Sequence, residues 1–352
     1  MKKIVKQVLG IDVAKNELVV CLGRMYDDWT PELYSYKTFA NTAKGFAMLV
    51  LWLKKNTDEV IPVRFVMEAT GVYHEALAYF LSEKGYEISI VLPNKISSYI
   101  RTLKVKTITD KTASEAITKF GLERKLDLWQ KPRDIFKKLR QLTRERGQIV
   151  EERTGVKNQL HAEQIEAQPN KKSIKRIKDR IKMLNKQEKE IKEEVAVLIK
   201  EDKEIAGIVL LICSLPGIGL LTAAIVLAET NGFELIRNKR QLTSYAGFDI
   251  IEKQSGISVK GKTRISKKGN TYLRKAMHLP ALAAIKHDER YKAIFARTVA
   301  KHGVKMKAAV VVQRKLLEMI FILFKNKTAY DKDYLNRNEE EINEAALIEA
   351  IA

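Results

Sequence analysis

Between Ile4 and about Phe120, short β-branched runs alternate with stretches whose apolar residues recur at helical spacing, which predicts an α/β domain. Val5 to Val13 reads as a buried strand, Glu17 to Gly23 as its hairpin partner and Leu33 to Phe39 as a third strand. Ala43 to Lys55 is amphipathic at a helical period. Further strands are predicted near Val63 to Met67 and Glu87 to Val91, separated by a helix from about Tyr73 to Lys84 that Gly85 ends. From Pro132 to about Lys200 the pattern changes to long charged helices. Apolar residues there fall on alternating steps of three and four: Ile135, Leu139, Leu142, Ile149, Val156 and Leu160, then, beyond Pro169, Ile174, Ile177, Ile181, Leu184, Ile191, Val195 and Leu198. Arg146 and Arg153 occupy two positions of the first seam, and Glu188 breaks the second. The spacing predicts a helical hairpin or coiled coil that turns at Pro169, with pairing of two copies through the seams preferred to a merely solvated helix pair.

Three antiparallel strands followed by alternating helices and strands fit a ribonuclease-H-like sheet in the first domain. Charge then narrows the partner. Across 352 residues, 64 Lys and Arg face 43 Asp and Glu, a net +21 that favours a polyanion, nucleic acid first, over a small acidic substrate. No run approaches the roughly 18 apolar residues of a membrane span. Asp12, Lys15, Asn16 and Glu17 interrupt what would be the apolar part of a secretory leader, so the expected location is the cytoplasm. Cys21 and Cys213 are far apart and the five histidines are scattered, which argues against a disulfide framework and a structural zinc site.

The first strand ends in Gly10-Ile11-Asp12-Val13-Ala14-Lys15, which sets a carboxylate inside an otherwise apolar run. An unpaired buried charge is costly, and a divalent cation offsets it. Glu68 ends the apolar strand Arg64-Phe65-Val66-Met67, and Asp110 stands at the start of a predicted helix carrying Ala113, Ala116 and Ile117. Each has an ordinary alternative: a turn for Asp12, a salt bridge for Glu68, a helix cap for Asp110. Two acids that close apolar strands and a third that opens a helix favour a shared metal site.

Further on, Leu215-Pro216-Gly217-Ile218-Gly219 before a new helix resembles a helix-hairpin-helix, in which Gly217 and Gly219 would expose backbone N–H groups to a DNA phosphate. An ordinary interhelical turn is the alternative. Gln254-Ser255-Gly256 then precedes a dense run of cations: Lys260, Lys262, Arg264, Lys267, Lys268, Arg274 and Lys275. Such a run suits contact with a phosphodiester backbone, or simply a basic surface. Ser255 has no neighbouring histidine to act as base, so a catalytic role would require the metal-bearing domain to reach it, within one chain or between two.

Taken together, Gly-Ile-Asp-Val-Ala-Lys at 10–15, Met-Glu-Ala-Thr-Gly at 67–71, Thr-Asp-Lys at 109–111 and the segment from Leu215 through Arg274 resemble the DEDD transposases of bacterial insertion sequences related to the Piv and MooV DNA invertases. The most specific block is Ile-Ser-Lys-Lys-Gly-Asn-Thr-Tyr-Leu-Arg at 265–274. The resemblance implies a RuvC/ribonuclease-H-like nuclease domain at 1–130, a coiled-coil dimerisation segment at 131–203 and a mainly helical transposase domain with a helix-hairpin-helix at 204–328, while composition alone marks an acidic tail at 329–352. It also implies two Mg2+ ions held by Asp12, Glu68, Asp110 and a fourth acid, a nucleophilic Ser255, element-end and target DNA as substrates, and a structured guide RNA. The fourth acid is missing, because the position three residues after Asp110 is Ala113. Glu115 is the nearest replacement, although at about 100° per residue it points well around the helix from Asp110, and Ser114 or water is the alternative. Two further readings stand beside the recombinase: a structure-selective nuclease in which the acids activate water, and a non-catalytic basic coiled-coil protein.

Overall fold

β1 (Ile4–Val13), β2 (Glu17–Tyr26) and β3 (Pro31–Ala40) form an antiparallel meander, with Asp12 near the end of its first strand. The chain returns through α1 (Ala43–Asn56), which is capped by Thr42, into β4 (Val63–Glu68), then through α2 (Glu75–Glu83) into β5 (Glu87–Val91), and continues into α3 (Pro93–Ile100) and α4 (Asp110–Glu123). The computed structural model describes residues 2–103, 107–234, 236–252, 254–255, 259–261 and 263–333. Strand order is β3-β2-β1-β4-β5, with β4 parallel to β1 and β5 parallel to β4, a mixed sheet of the kind the pattern predicts.

Alternation along the strands sends successive side chains to opposite faces. Leu9, Ile11, Phe65 and Met67 pack against Leu49, Leu53, Leu77 and Leu81 of α1 and α2. Val8, Val66 and Val91 face the other way, onto Ile117 and Leu122. On this second face α4 lies unusually close. A methyl group on Gly10 would stand 2.3 Å from Thr118 Oγ1 and 2.7 Å from the Ser114 carbonyl oxygen, and one on Gly121 would stand 2.8 Å from Val8 Cγ1 and 2.9 Å from Val66 Cγ2. Thr118 ties the contact by donating to the Cys21 carbonyl at 3.0 Å. With Gly121 over Val8 and Ser114 over Gly10, the helix runs back along β1, so its first residue, Asp110, falls toward the end of the strand that carries Asp12.

A second unit begins at Pro132. α5 (Asp134–Ile165) and α6 (Lys171–Glu201) form a helical hairpin whose turn contains Pro169, and Asn170 caps the returning helix. The seams close on each other: Leu139, Ile149, Val156, Leu184, Ile191, Val195 and Ile199 are all buried in one core with the helices that follow. The expected pairing of two copies through these seams therefore meets residues already covered by the chain itself. Arg146 and Arg153, the cationic seam positions, both bind Glu188, the acid that breaks the opposite series.

The rest of the unit is mainly helical: α7 (Lys203–Cys213), α8 (Leu220–Thr230) and α9 (Lys239–Ala246), then two short ribbons, then α10 (Thr271–Ala276), α11 (His278–His287), α12 (Glu289–His302) and α13 (Lys305–Asn326). The ribbons comprise β6 (Ile250–Ile251), β7 (Gln254–Ser255), β8 (Val259–Lys260) and β9 (Arg264–Ile265), with β6 antiparallel to β9 and β7 antiparallel to β8. Gly217, in the turn between α7 and α8, has φ +82° and sits where a side chain would meet the Pro280 carbonyl at 2.5 Å. No helix among the described residues is long and apolar enough to cross a membrane. The acidic tail beyond Asp333 lies outside the described residues.

Candidate functional site

Asp12 and Glu68 stand at the carboxyl ends of adjacent parallel strands, one residue beyond the paired Ile11 and Met67. Asp12 lies two residues after Gly10, and Glu68 two after Val66, so both belong to the face that α4 covers. Asp110 opens that helix. It is not the cap: Thr109 is, its hydroxyl accepting from the Thr112 N–H at 3.3 Å while the Thr112 hydroxyl accepts from the Thr109 N–H at 2.7 Å. The Asp110 carboxylate is thereby left exposed rather than folded back on its own backbone.

Electrostatics record the convergence of the three acids. Burial, then the charge on Asp110 and then that on Glu68, push the Asp12 carboxyl up to about 6. Burial also raises Glu68. Among the described residues no lysine or arginine forms a salt bridge with any of the three. Nor do three carboxylate, imidazole or thiolate groups among the described residues stand close enough to enclose an ion as they are placed. The result is an open cluster of negative charge with no cationic partner among the described residues. Its donors are all hard oxygens, which is the chemistry that suits magnesium, and the unanswered charge is what a divalent cation would neutralise.

Around this cluster, Asn41 Nδ2 donates to the Ala14 carbonyl at 2.9 Å and the Tyr73 carbonyl at 3.1 Å, joining the segments that follow Asp12 and Glu68. Its Oδ1 and the Nδ1 of His74 are buried without hydrogen-bond partners among the described residues. Neither residue stands out in the sequence; an asparagine one residue before a threonine helix cap reads as ordinary turn chemistry. The fourth-acid position remains a methyl group at Ala113. Glu115 engages the Tyr36 phenol on β3 and acts on Cys21 of β2, while Ser114 is fully buried and donates to the Lys111 carbonyl at 2.8 Å.

In the second unit the backbone of Ser255 lies in β7 opposite Val259, in a small hairpin that rises between β6 and β9. Its side chain and that of Lys260 are outside what is described, as is Lys262 altogether. Arg264, Lys267 and Lys268 are exposed, whereas Arg274 is turned inward and donates to the Ala246 carbonyl at 2.7 Å. Gly217 and Gly219 are both exposed in the α7–α8 turn, and Gly219 begins α8 without a side-chain cap.

A buried acid that the sequence does not single out supports this region. Glu229 accepts from Arg144 Nε at 2.8 Å and Nη2 at 2.9 Å, and from Asn270 Nδ2 at 2.6 Å. Asn270 also caps α10, and Tyr245 donates to the Glu229 carbonyl at 2.9 Å. The basic block is thus pinned at Asn270 to α5 and α8. A polar residue within the apolar run Leu220 to Thr230 was the available signal.

Comparison with known proteins matches residues 9–163 to the DEDD transposase model of IS110 and residues 209–296 to the transposase family of IS116, IS110 and IS902. The chain belongs to the IS110 family of DEDD transposases. This IS110-family transposase is similar to the pilin gene-inverting proteins of Moraxella lacunata and Moraxella bovis, each 28% identical over 334 residues, 93% of this chain and 98% of theirs. Among solved structures, Thermus thermophilus RuvC in complex with a Holliday junction substrate aligns over 35% of the chain and 99% of its own, with 10% identity and a TM-score of 0.27. Membership makes the protein an enzyme of the transposase and recombinase class, with DNA as its partner.

Proposed function

We propose that this transposase cleaves and rejoins DNA at the ends of its element, with Ser255 as nucleophile and with Asp12, Glu68 and Asp110 as magnesium ligands. The observation that carries the reading is that three carboxylates, without a salt-bridge partner among the described residues, gather at one end and on one face of the sheet. Magnesium held by Asp12, Glu68 and Asp110 would supply charge neutralisation at the scissile phosphate and would ease loss of the proton from the attacking hydroxyl. The Ser255 oxygen bonds to phosphorus, one bridging P–O bond breaks, and the departing DNA oxygen leaves as a hydroxyl, taking up one proton for the one that serine loses. A hydroxyl from a different strand end then displaces serine in the reverse sense. Arg264, Lys267 and Lys268, with Lys260 and Lys262, would hold the flanking phosphates.

Rejoining, rather than plain hydrolysis, is supported by relatives named for inverting a gene, since inversion requires that cut ends be resealed. Exchange of two ends calls for at least two copies of the chain. A structured guide RNA remains part of the proposal through the family resemblance, and the net charge of +21 accommodates it.

The deciding experiment is capture of the covalent intermediate on cognate element ends. Active protein should yield a DNA-linked peptide containing Ser255, and Ser255→Ala should yield none. Cleavage persisting in Ser255→Ala but abolished in Asp12→Asn would instead establish hydrolysis by water.

A further inference from the structure

In the second unit, a cavity of about 320 Å³ opens where the β6–β9 ribbon meets α13. Its wall is apolar: Phe248, Ile265 and Val310 line it, and Ile250 and Met306 stand at its edge, 62% and 61% exposed. Apolar surface of that kind, left open to water, is unfavourable unless something covers it. Cations surround it. Arg264, Lys267 and Lys307 belong to the same cavity, and none forms a salt bridge among the described residues; Arg314, the fourth, is already answered by Glu318 at 2.8 Å.

An occupant must therefore be flat or compact and apolar at its centre, with negative charge on either side. A second apolar protein surface would leave three cations unanswered. A nucleotide within a strand matches both requirements, with the base in the cavity and the flanking phosphates on Arg264, Lys267 and Lys307. A base inside a duplex cannot enter, because its faces are stacked and its edges paired.

We infer that this cavity takes an unstacked base of a DNA strand. The ribbon that forms one of its walls is the base of the hairpin bearing Ser255, so a captured base would fix the strand's register next to that hairpin. This inference rests on the DNA-recombinase reading and adds a binding site to it.

The test compares two single-stranded DNA oligonucleotides of equal length, one carrying a central 2-aminopurine and the other an abasic residue at that position. Binding to the full-length protein is followed by anisotropy of an end label and by 2-aminopurine emission. The base-bearing strand should bind about tenfold more tightly, and its emission should change on binding. Ile250→Ser with Met306→Ser, at two exposed positions where folding is insensitive, should reduce the ratio to below about twofold; Val310→Trp, which fills the cavity, should do the same. Both variants should leave affinity for the abasic strand unchanged.

Equal binding of the two strands by the parent protein overturns the inference while leaving the recombinase reading intact. Failure to bind either strand likewise overturns the inference, while the recombinase reading is decided separately by capture of the covalent intermediate. A larger base dependence with RNA than with DNA reassigns the cavity and overturns the inference as stated, as does a change of oligomeric state in the Ile250→Ser, Met306→Ser variant.

Discussion

Arg146 Nη2 lies 2.8 Å from Glu188 Oε1 across the helical hairpin, and Arg153 meets the other oxygen of the same carboxylate. Both arginines stand where a seam calls for an apolar residue, and so does the glutamate. Only one alignment of the two helices brings all three together, so the ionic group selects the register in which the apolar residues also close.

Glu188→Ala would strand two arginines whose side chains are only 26% and 19% exposed. A loss of about 2–4 kcal/mol is expected, somewhat under the full cost of breaking a buried pair because the guanidinium groups retain some water. Urea unfolding monitored by far-UV circular dichroism measures it, and a change below about 0.5 kcal/mol would contradict the assigned role.

The same carboxylate has an acid limb. Burial pushes the Glu188 carboxyl up, but Lys192, Arg153 and Arg146 outweigh it and hold it down to about 2 from an ordinary 4.5. A folded-state value below the unfolded one gives stability that is present above about pH 4.5 and lost as pH falls toward 2. Comparing unfolding midpoints of the parent and Glu188→Gln at pH 6, 4 and 3 should show the difference between them shrinking with acidity.

Gly10→Ala places a methyl group against Thr118 and the Ser114 carbonyl, a contact that backbone atoms cannot relieve by rotation. We expect about 1–3 kcal/mol of destabilisation from overpacking, and a loss of strand cleavage larger than that loss of folded protein, because α4 carries Asp110. Gly147→Ala, in an open stretch of α5 where a Cβ meets nothing within 4 Å, should be neutral or stabilising by about 0.5–1 kcal/mol. Equal effects from the two substitutions would count against close packing as the cause.

Much of this was legible from spacing alone. The short β-branched runs locate all five strands of the first sheet because most of that sheet is covered on both faces, which leaves its strands near-continuously apolar, and the three-four spacing locates the hairpin because its seam is long. Asp12 and Glu68 are visible because each closes an apolar run, and Asp110 because it opens a predicted helix. Closure of the seams within one chain was not legible, since heptads describe a face and not the molecule that covers it; the opposed Arg146, Arg153 and Glu188 were the clue. Gly10 and Gly121 give no sign of how near a helix will come, and Glu229 acquires meaning only when Arg144 and Asn270, remote in sequence, are brought to it.

Without metal, the raised Asp12 carboxyl makes folding prefer the protonated acid. Its folded value, about 6, exceeds the unfolded 3.8, so stability should fall as pH rises between about 4 and 6. Asp12→Asn should therefore raise the melting temperature of metal-free protein at pH 8, by an amount equivalent to about 1–2 kcal/mol after allowing for its partial exposure. Adding magnesium should stabilise the parent and leave Asp12→Asn nearly unmoved. A magnesium response that survives the substitution would remove Asp12 from the ligand set.

The fourth position can be interrogated directly. Glu115, engaged with Tyr36, should be dispensable for metal, so Glu115→Gln should keep the magnesium-induced rise in melting temperature. Ala113→Asp adds a carboxylate one helical turn from Asp110 and should tighten magnesium binding severalfold by titration calorimetry. The opposite pair of results would return Glu115 to the site.

The hairpin's ionic lock also sets how such an arm can change its reach. An insertion in one helix alone would slide every seam residue past its partner and separate Glu188 from both arginines, whereas matched insertions on the two sides of the turn preserve the alignment. Arms of different span in this architecture should therefore differ by whole heptads added in pairs, each extending the tip by about 10 Å.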